Sequence, residues 1–286
     1  MKPSRLFFLT AVAMVAFAAN SLLCRAALKH GTIDAASFSS IRIISGAIAL
    51  WFILATRRSN NRATGNWWSA AALFAYVAAF SFAYNTLSAA IGALLLFAAV
   101  QSTMIVWGFW KGERFHPRQW IGFVIACAGL IILLLPGIST PSLTGSILML
   151  SAGLAWGVYS LRGKTAGNPT AATTGNFLRA APMTLLLSAF FVSSMRLDFA
   201  GVMCAIISGA ITSGLGYVIW YAALPGLTAT GAATVQLSAP VIAALGGILF
   251  LNESLTPRFV LASIAVLGGI ALVVINRSAR VARPDA

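Results

Sequence analysis

The sequence repeats itself after about 140 residues, in a form that restricts the possible folds. Residues 112–118 read Gly-Glu-Arg-Phe-His-Pro-Arg, and residues 252–258 read Asn-Glu-Ser-Leu-Thr-Pro-Arg. Each copy lies between two long apolar segments. Duplication within apolar sequence is typical of transporters that bind substrate between two similar halves. If each half contains five membrane spans, an odd number, the second half crosses the membrane in the opposite direction.

Composition indicates an integral membrane protein. The chain is 59% hydrophobic and 8% charged, with a mean hydropathy of +0.91, so it carries too little charge to cover a soluble domain of 286 residues. The apolar segments lack the alternation of a barrel strand, which favours helices. We therefore predict an all-α membrane protein with two inverted five-helix repeats, 1–138 and 139–286, the second ending in a basic tail. The ten predicted spans are 6–27, 35–56, 68–87, 90–110, 119–136, 144–163, 175–195, 199–222, 229–251 and 258–276.

The net charge of +14 follows the predicted topology. Thirteen of the 19 Lys and Arg residues fall on the side that holds both termini, four fall on the other side, and Arg42 and Arg179 lie within spans. Because cytoplasmic loops of membrane proteins are enriched in Lys and Arg, both termini are expected in the cytoplasm and the protein in the inner membrane. The charge is thus explained without a nucleic-acid partner.

Two further features have simple interpretations. Lys2 and Arg5 precede an apolar run that resembles a secretion signal, but the run continues to about Ala27 and is expected to be the first span. The cysteines lie inside apolar runs without metal-ligand spacing and are expected to be small buried hydrophobes; they are Cys24, Cys127 and Cys204. No cofactor or metal site is expected.

The repeated motif resembles that of a known family. A long apolar span is followed by Gly-Glu-Arg or Asn-Glu-Ser-Leu-Thr-Pro and then by a Gly-rich span ending in basic residues, as in the EamA-type repeat of the drug/metabolite transporter superfamily. The second copy, from Leu237 to Leu255, is the better match, because the first has Val100 in place of Pro240. The resemblance implies export of a small metabolite from a cavity lined by the first, third and fourth helices of each half. The YddG-type amino-acid exporters are the nearest group within this branch.

Polar amides within the predicted spans are candidates for substrate binding. Gln101 and Gln236 lie near the middle of spans four and nine, and Asn20 lies in span one. An amide in hydrocarbon must be hydrogen-bonded, either to another helix or in a wet cavity. The sequence leaves both alternatives open.

Aromatic residues at helical spacing form a second group of candidates. They fall on the third span of each half and on the first span of the second half. Such stripes serve packing or membrane anchoring, or they line a cavity for a substrate with an apolar part and a polar head. The residues concerned are Tyr76, Phe80, Tyr84, Trp156, Tyr159, Tyr217, Trp220 and Tyr221.

Arg42 and Arg179 occupy related places near the start of the second helix of each half. They are expected either to bind headgroups or helix-end carbonyls, or to attract a substrate carboxylate at the cavity mouths. Pro182 and Pro240 are expected to bend their helices, which could provide gating hinges.

The acidic residues fall in predicted loops, at span ends or in the tail: Asp34, Glu113, Asp198, Glu253 and Asp285. We therefore expect transport without a membrane-embedded carboxylate as a proton relay. The two glutamates are expected to cap the helices that follow them, whose first turns contain Pro117 and Pro257.

The predicted function is export of small metabolites from the cytoplasm, with amino acids, aromatic or otherwise apolar, as the first candidates. Efflux of cationic or lipophilic drugs, a passive channel and a membrane-embedded lipid enzyme are the alternatives. An enzyme would need a convergent acid–base or nucleophile–base set, and no His, Asp or Glu is placed deep enough to supply one. The expected partners are a small-molecule substrate and the lipid bilayer, and the expected assembly is a monomer.

Overall fold

The computed structural model describes residues 2–56, 62–110, 112, 116–135, 140–163, 167–227, 232 and 235–281, with side chains as far as residue 273. Glu113, Asp285 and several basic residues of the predicted cytoplasmic loops lie outside the described residues. Within them the regular structure is helical, and the extended pairing consists of an isolated bridge between Ile33 and Leu197.

Ten helices account for the described chain, five in each half. The first half contains α1 Pro3–Lys29, α2 Ala35–Thr56, α3 Trp67–Ala83, α4 Ala89–Trp110 and α5 Pro117–Leu134. The second contains α6 Leu143–Gly163, α7 Pro169–Phe190, α8 Phe199–Gly226, α9 Ser238–Leu251 and α10 Pro257–Val281. By length and apolar composition, six of these described helices could cross a membrane: α1, α2, α4, α5, α6 and α8.

Six helix boundaries differ by four residues or more from the sequence prediction, among them the ends of α7 at Phe190, of α8 at Gly226 and of α10 at Val281. Helix α3 ends at Ala83 because the next residues turn before α4 begins. Helix α7 begins at Pro169, six residues early, where the Asn168 side chain accepts a hydrogen bond from the Ala171 N–H. Its first turns contain buried Thr and Asn, so hydropathy alone underestimates its length. Helix α9 begins at Ser238, and part of its predicted N-terminal segment lies outside the described residues.

Helix α8 changes its winding in the middle. It is α-helical over Phe199–Ile207, π-helical over Ser208–Leu215, α-helical again over Gly216–Ala223, and ends in a 3₁₀ turn. The π segment buries Ser208, Thr212 and Ser213. Because π segments are rare and concentrate at functional sites, these hydroxyls are positioned by an unusual piece of backbone.

Helix packing follows the repeat. Helix α3 packs on α6 as α1 packs on α8, and α4 packs on α6 as α1 packs on α9. The pairs α2–α7, α4–α9 and α5–α10 each join equivalent helices of the two halves. Exchanging the halves therefore largely reproduces the same contacts, as a two-fold repeat requires.

Helices α5 and α10 form a close pair at the side of the bundle. A Cβ added to Gly122 would lie 2.6 Å from the Gly269 carbonyl oxygen, and one added to Gly129 would lie 2.8 Å from Ala265 Cβ. The absence of these side chains lets the two backbones approach. Because α5 and α10 pack on each other at the side, the central seam is formed by α1, α3 and α4 of the first half and by α6, α8 and α9 of the second.

The connections meet at two opposite ends of the bundle. The α1–α2, α3–α4, α7–α8 and α9–α10 connections lie at what we call the outer end, where the ion pair, hydrogen bonds and bridge between the halves are found. The α2–α3 and α6–α7 connections meet at the inner end, where the Thr64 N–H donates to the Ala171 carbonyl oxygen at 3.0 Å. The charge bias of the sequence predicts, but the fold does not test, that the inner end faces the cytoplasm.

Candidate functional site

A cavity of about 470 Å³ lies at the seam of the two halves. It extends from the inner end, at Gly163 and Leu224, toward the middle of the bundle at Trp156 and Tyr217. Its volume is within the range of small-molecule sites, which are mostly apolar with a few polar groups. We call it the inner cavity. Its lining consists of Met104, Trp156, Ser160, Gly163, Pro169, Tyr217, Trp220, Tyr221, Leu224, Pro225, Leu227, Ala232 and Gln236.

Aromatic rings close the deep end of the inner cavity. The Trp156 ring centroid lies 4.9 Å from that of Tyr76 and 4.9 Å from that of Tyr217. Phe17 adds edge contacts to Trp156 and Trp220 at 6.3 and 5.8 Å. Such offset and edge arrangements hold the rings in a fixed position, so the cavity ends on a preformed aromatic floor.

A second, much smaller space lies beyond this floor, with a volume of about 20 Å³, enough for one water molecule. It shares Trp156 and Tyr217 with the inner cavity, which makes it the continuation of the same path toward the outer end. We call it the deep cavity. Its other lining residues are Phe17, Asn20, Tyr76, Phe80, Leu96, Phe97 and Thr212.

Asn20 organises the polar side of the deep cavity. Its Nδ2 donates to the Tyr76 hydroxyl at 3.2 Å, and its Oδ1 accepts from Ser208 Oγ at 2.6 Å and from Thr212 Oγ1 at 3.4 Å. The amide therefore links α1, α3 and the π segment of α8, and also faces the cavity. Both alternatives left open by the sequence apply to this residue.

The predicted site residues fall into two groups. The inner or deep cavity contains Asn20, Tyr76, Phe80, Trp156, Tyr217, Trp220, Tyr221 and Gln236. Tyr84, Gln101 and Tyr159 are buried but line neither cavity in this conformation. Tyr84 packs against Phe80 near the outer end, with 4.8 Å between ring centroids.

The two span arginines differ from each other in their surroundings, and a role for either at a cavity mouth stays a prediction. Arg179 is half-buried at the inner end, where its Nη1 donates to the carbonyl oxygens of Thr64 and Gly175 at 2.6 and 2.9 Å. It thus binds backbone carbonyls. Arg42 is fully buried between α2, α3 and α8, where it donates to Tyr76 and Ser213.

The two prolines also differ in their effect. Pro182 lies inside α7 and faces outward from the bundle. Pro240 lies in the first turn of α9, which begins after a break at Leu237, so the segment is interrupted there rather than bent. Because proline has no N–H, Pro240 cannot donate to the carbonyl of Gln236 four residues earlier. The backbone and the side chain of Gln236 therefore both lie at the helix break beside the cavity.

The outer end is closed by contacts between the halves. Arg25 Nε lies 3.2 Å from Glu253 Oε1, and Glu253 Oε2 accepts from the Ala89 N–H at 2.9 Å. Arg25 Nη1 also donates to the Tyr84 carbonyl oxygen at 2.9 Å. We call this group the outer latch.

Glu253 was expected to cap α10, but its carboxylate instead binds the first turn of α4 from the other half, because the chain turns back through Asn252 at a φ of 50°. Helix α10 is capped instead by Thr256, whose Oγ1 accepts a hydrogen bond from the Phe259 N–H at 3.1 Å.

A second set of outer contacts joins the loops that follow α1 and α7. Asp34 Oδ1 accepts from the Ser37 N–H at 2.9 Å, and Oδ2 accepts from the Arg196 N–H at 3.0 Å. Although partial burial opposes ionisation, the hydrogen bonds from Ser37 and Arg196 hold the pKa of Asp34 below its ordinary value. The Asp198 N–H completes the junction by donating to the Thr32 carbonyl oxygen at 2.9 Å.

Sequence reasoning missed several residues of this site. Phe17 belongs to no aromatic stripe of α1, and Ser208, Thr212 and Ser213 are ordinary small residues in an apolar run. The signal available for the hydroxyls was their clustering within Ile207–Gly214, a polar stretch in the middle of a span.

Comparisons with known proteins agree with this architecture. A profile of the EamA-like transporter family matches residues 5–135 and 143–275, which are the two halves. An uncharacterized protein of Pseudomonas aeruginosa is 54% identical over the full length of both chains. The threonine/homoserine exporter RhtA of Escherichia coli is 30% identical over 53% of each chain. A solved crystal structure shares the fold with a TM-score of 0.69, covering 96% of this chain and 98% of its own at 17% identity.

Proposed function

The chain belongs to the EamA-like transporter family, and from that premise we propose that it exports amino acids or closely related metabolites by alternating access. The observation that carries the proposal is a cavity of about 470 Å³ at the seam of two similar halves, reaching the inner end and closed from the outer end. A site between repeats that is reached from one side at a time is what alternating access requires.

The lining of the inner cavity supports a substrate with an apolar part and a polar head. Trp156, Tyr217 and Trp220 supply aromatic surface, and Gln236, Ser160 and Tyr221 add polar groups to the same lining. Within the described part of the chain, no Asp, Glu or His lines the cavity. A permanent cation would find no neutralising charge there, which favours zwitterionic metabolites over cationic drugs.

The positions of the described carboxylates support transport without a membrane proton relay. Asp34, Asp198 and Glu253 lie in connections at the outer end, away from both cavities. Movement of the substrate down its own gradient is therefore the simplest mechanism. Accumulation in vesicles that depends on an imposed pH gradient and is abolished by Glu113→Gln would contradict this part of the proposal.

Counterflow in proteoliposomes tests the proposed function. Vesicles preloaded with one compound are assayed for exchange against a panel of amino acids, polyamines, nucleosides and quaternary ammonium dyes. The proposal predicts saturable counterflow with amino acids, including threonine and phenylalanine. Exchange confined to the dyes would support drug efflux, and flux without saturation or counterflow would indicate a channel. Either result would overturn amino-acid export by alternating access.

A pair of tryptophan variants links this transport to the cavity. Trp220 is 6% exposed and lines the inner cavity, whereas Trp51 is 51% exposed, on the face of α2 that points away from the bundle. Trp220→Ala is expected to change the relative rates across the panel, because it removes an aromatic ring from the lining and enlarges the cavity. Trp51→Ala is the matched control and should leave the selectivity unchanged. Equal selectivity in both variants would exclude the inner cavity as the binding site.

A further inference from the structure

The guanidinium of Arg42 is a fully buried charge with an incomplete set of partners. Nη2 donates to the Tyr76 hydroxyl at 2.9 Å and Nε donates to Ser213 Oγ at 3.2 Å. Nη1 is buried and has no hydrogen-bond partner. Across the described residues, no carboxylate forms an ion pair with Arg42. Its positive charge is therefore balanced only by dipoles.

Such a charge is costly inside a membrane protein. Buried arginines are normally paired with an acid or with several carbonyl oxygens, and an unsatisfied charged donor carries a large desolvation penalty. The rings of Tyr76 and Phe80 lie 5.2 and 5.0 Å from Arg42 Cζ and offset part of this penalty by cation–π attraction. A positive potential that no acid among the described residues neutralises still remains at this place in the bundle.

The position of Arg42 connects this potential to the substrate path. Tyr76 and Phe80, which touch the guanidinium, also line the deep cavity, as does Thr212 beside Ser213. Arg42 thus lies one layer of side chains behind the cavity wall. An anionic group that entered the deep cavity would be attracted by the buried guanidinium, and Nη1 is the donor left for it.

Comparison with the repeat suggests how Arg42 becomes accessible. Its counterpart Arg179 is half-buried at the inner end, next to the connection that holds Thr64. If the two halves exchange roles when the outer end opens, Arg42 would take the more exposed place that Arg179 has now. The substrate would then meet Nη1 during the passage between the two states.

Resting on the proposed export function, we propose that Arg42 is the specificity-determining residue that binds a carboxylate of the substrate. The carboxylate supplies the missing acceptor for Nη1 and the missing counter-charge. A hydrogen bond to a charged group contributes enough to separate a carboxylate from its neutral amide by about tenfold or more. A purely structural Arg42, joining α2, α3 and α8, would affect folding but not this discrimination.

Competition in the counterflow assay tests the assignment. Phenylalanine, phenylalaninamide and phenethylamine share the same ring, but only phenylalanine carries a carboxylate. The wild-type protein is expected to prefer phenylalanine by about tenfold or more, and Arg42→Gln should reduce the preference to near one. Arg42→Lys keeps the positive charge but loses the planar guanidinium with its paired donors, and it should retain part of the preference. Arg118→Gln, at an exposed position of α5 that lines neither cavity, is the control and should retain all of it.

Each outcome separates the two proposals. Equal counterflow of acid, amide and amine by the wild-type protein would overturn the role of Arg42 while leaving the export function intact. A full preference in a monodisperse Arg42→Gln variant would do the same. If Arg42→Gln fails to fold, the wild-type comparison and Arg42→Lys decide the question. If no compound is exchanged, the proposed function fails, and quenching of tryptophan fluorescence by phenylalanine but not by the amide still tests binding of the carboxylate.

Discussion

The outer latch makes a quantitative prediction about the balance between the two states. The side chains of Arg25 and Glu253 are 14% and 7% exposed, so their ion pair is largely shielded from water. Glu253→Gln keeps the shape but removes the charge from two hydrogen bonds, those from Arg25 Nε and from the Ala89 N–H. The difference between charged and neutral hydrogen bonds amounts to about 2 kcal/mol for the two together. The ratio of outer-open to outer-closed molecules should therefore rise by about thirtyfold.

The native Cys24 provides the assay for this shift. It is adjacent to Arg25 in α1 and fully buried when the outer end is closed. In a background with Cys127→Ala and Cys204→Ala, an impermeant sulfonated maleimide added from outside should react with Cys24 in proportion to the outer-open population. If the outer-open state is the minor one in wild type, labelling of Glu253→Gln should be faster than that of wild type by at least about tenfold.

A matched carboxylate at the same end controls for a general loosening of the protein. Asp198 is exposed, and its carboxylate caps its own helix through the Ala200 N–H at 3.2 Å. Asp198→Asn should leave the labelling of Cys24 at the wild-type rate. If Glu253→Gln also labels at that rate while eluting as a single folded species, the latch does not hold the outer end closed and the reasoning is refuted.

Two further predictions concern packing and pH. Gly153→Ala places a Cβ 2.5 Å from Ala99 Cβ and should lower stability by about 1–3 kcal/mol, whereas Gly268→Ala meets nothing within 4 Å and should change it by no more than about 1 kcal/mol. Thermal unfolding in detergent compares the two, and equal melting temperatures would contradict the packing. Because the pKa of Asp34 is lowered, its stabilisation is complete above its ordinary value of 3.8 and is lost as the pH falls toward the folded-state value. Asp34→Asn should remove this acid-dependent loss, and an unchanged pH profile would count against the hydrogen bonds described.

Periodicity and composition were sufficient for the architecture. The ten helices and the repeat follow from apolar segments and their spacing, and the helix starts at Pro117 and Pro257 appear where expected, whereas the end of α3 was placed four residues too late. The start of α7 was placed too late because its buried Thr and Asn residues have low hydropathy but are satisfied by hydrogen bonds within the bundle.

The site was harder to predict because its decisive contacts are non-local. Glu253 was assigned to the helix next to it in sequence, whereas its partners are 228 and 164 residues away. Aromatic spacing selected Tyr76, Trp156 and Tyr217, whose rings are in contact, but it also selected Tyr84, which packs against Phe80 near the outer end. The hydroxyls of the π segment in α8 cluster visibly in the sequence, but nothing there identifies Asn20 and Arg42 as their partners.

Alternating access is most directly tested by measuring both ends of the bundle in the same protein. In a chain without its native cysteines, spin labels at Asn85 and Ser254 report the outer end, and labels at Trp110 and Gly226 report the inner end. Distances are compared by pulsed electron resonance in wild type and Glu253→Gln, with and without a saturating transported amino acid. Alternating access predicts that the outer distance lengthens as the inner distance shortens in the same fraction of molecules. An outer distance that lengthens while the inner distance stays long would mean a continuous pore and would contradict it.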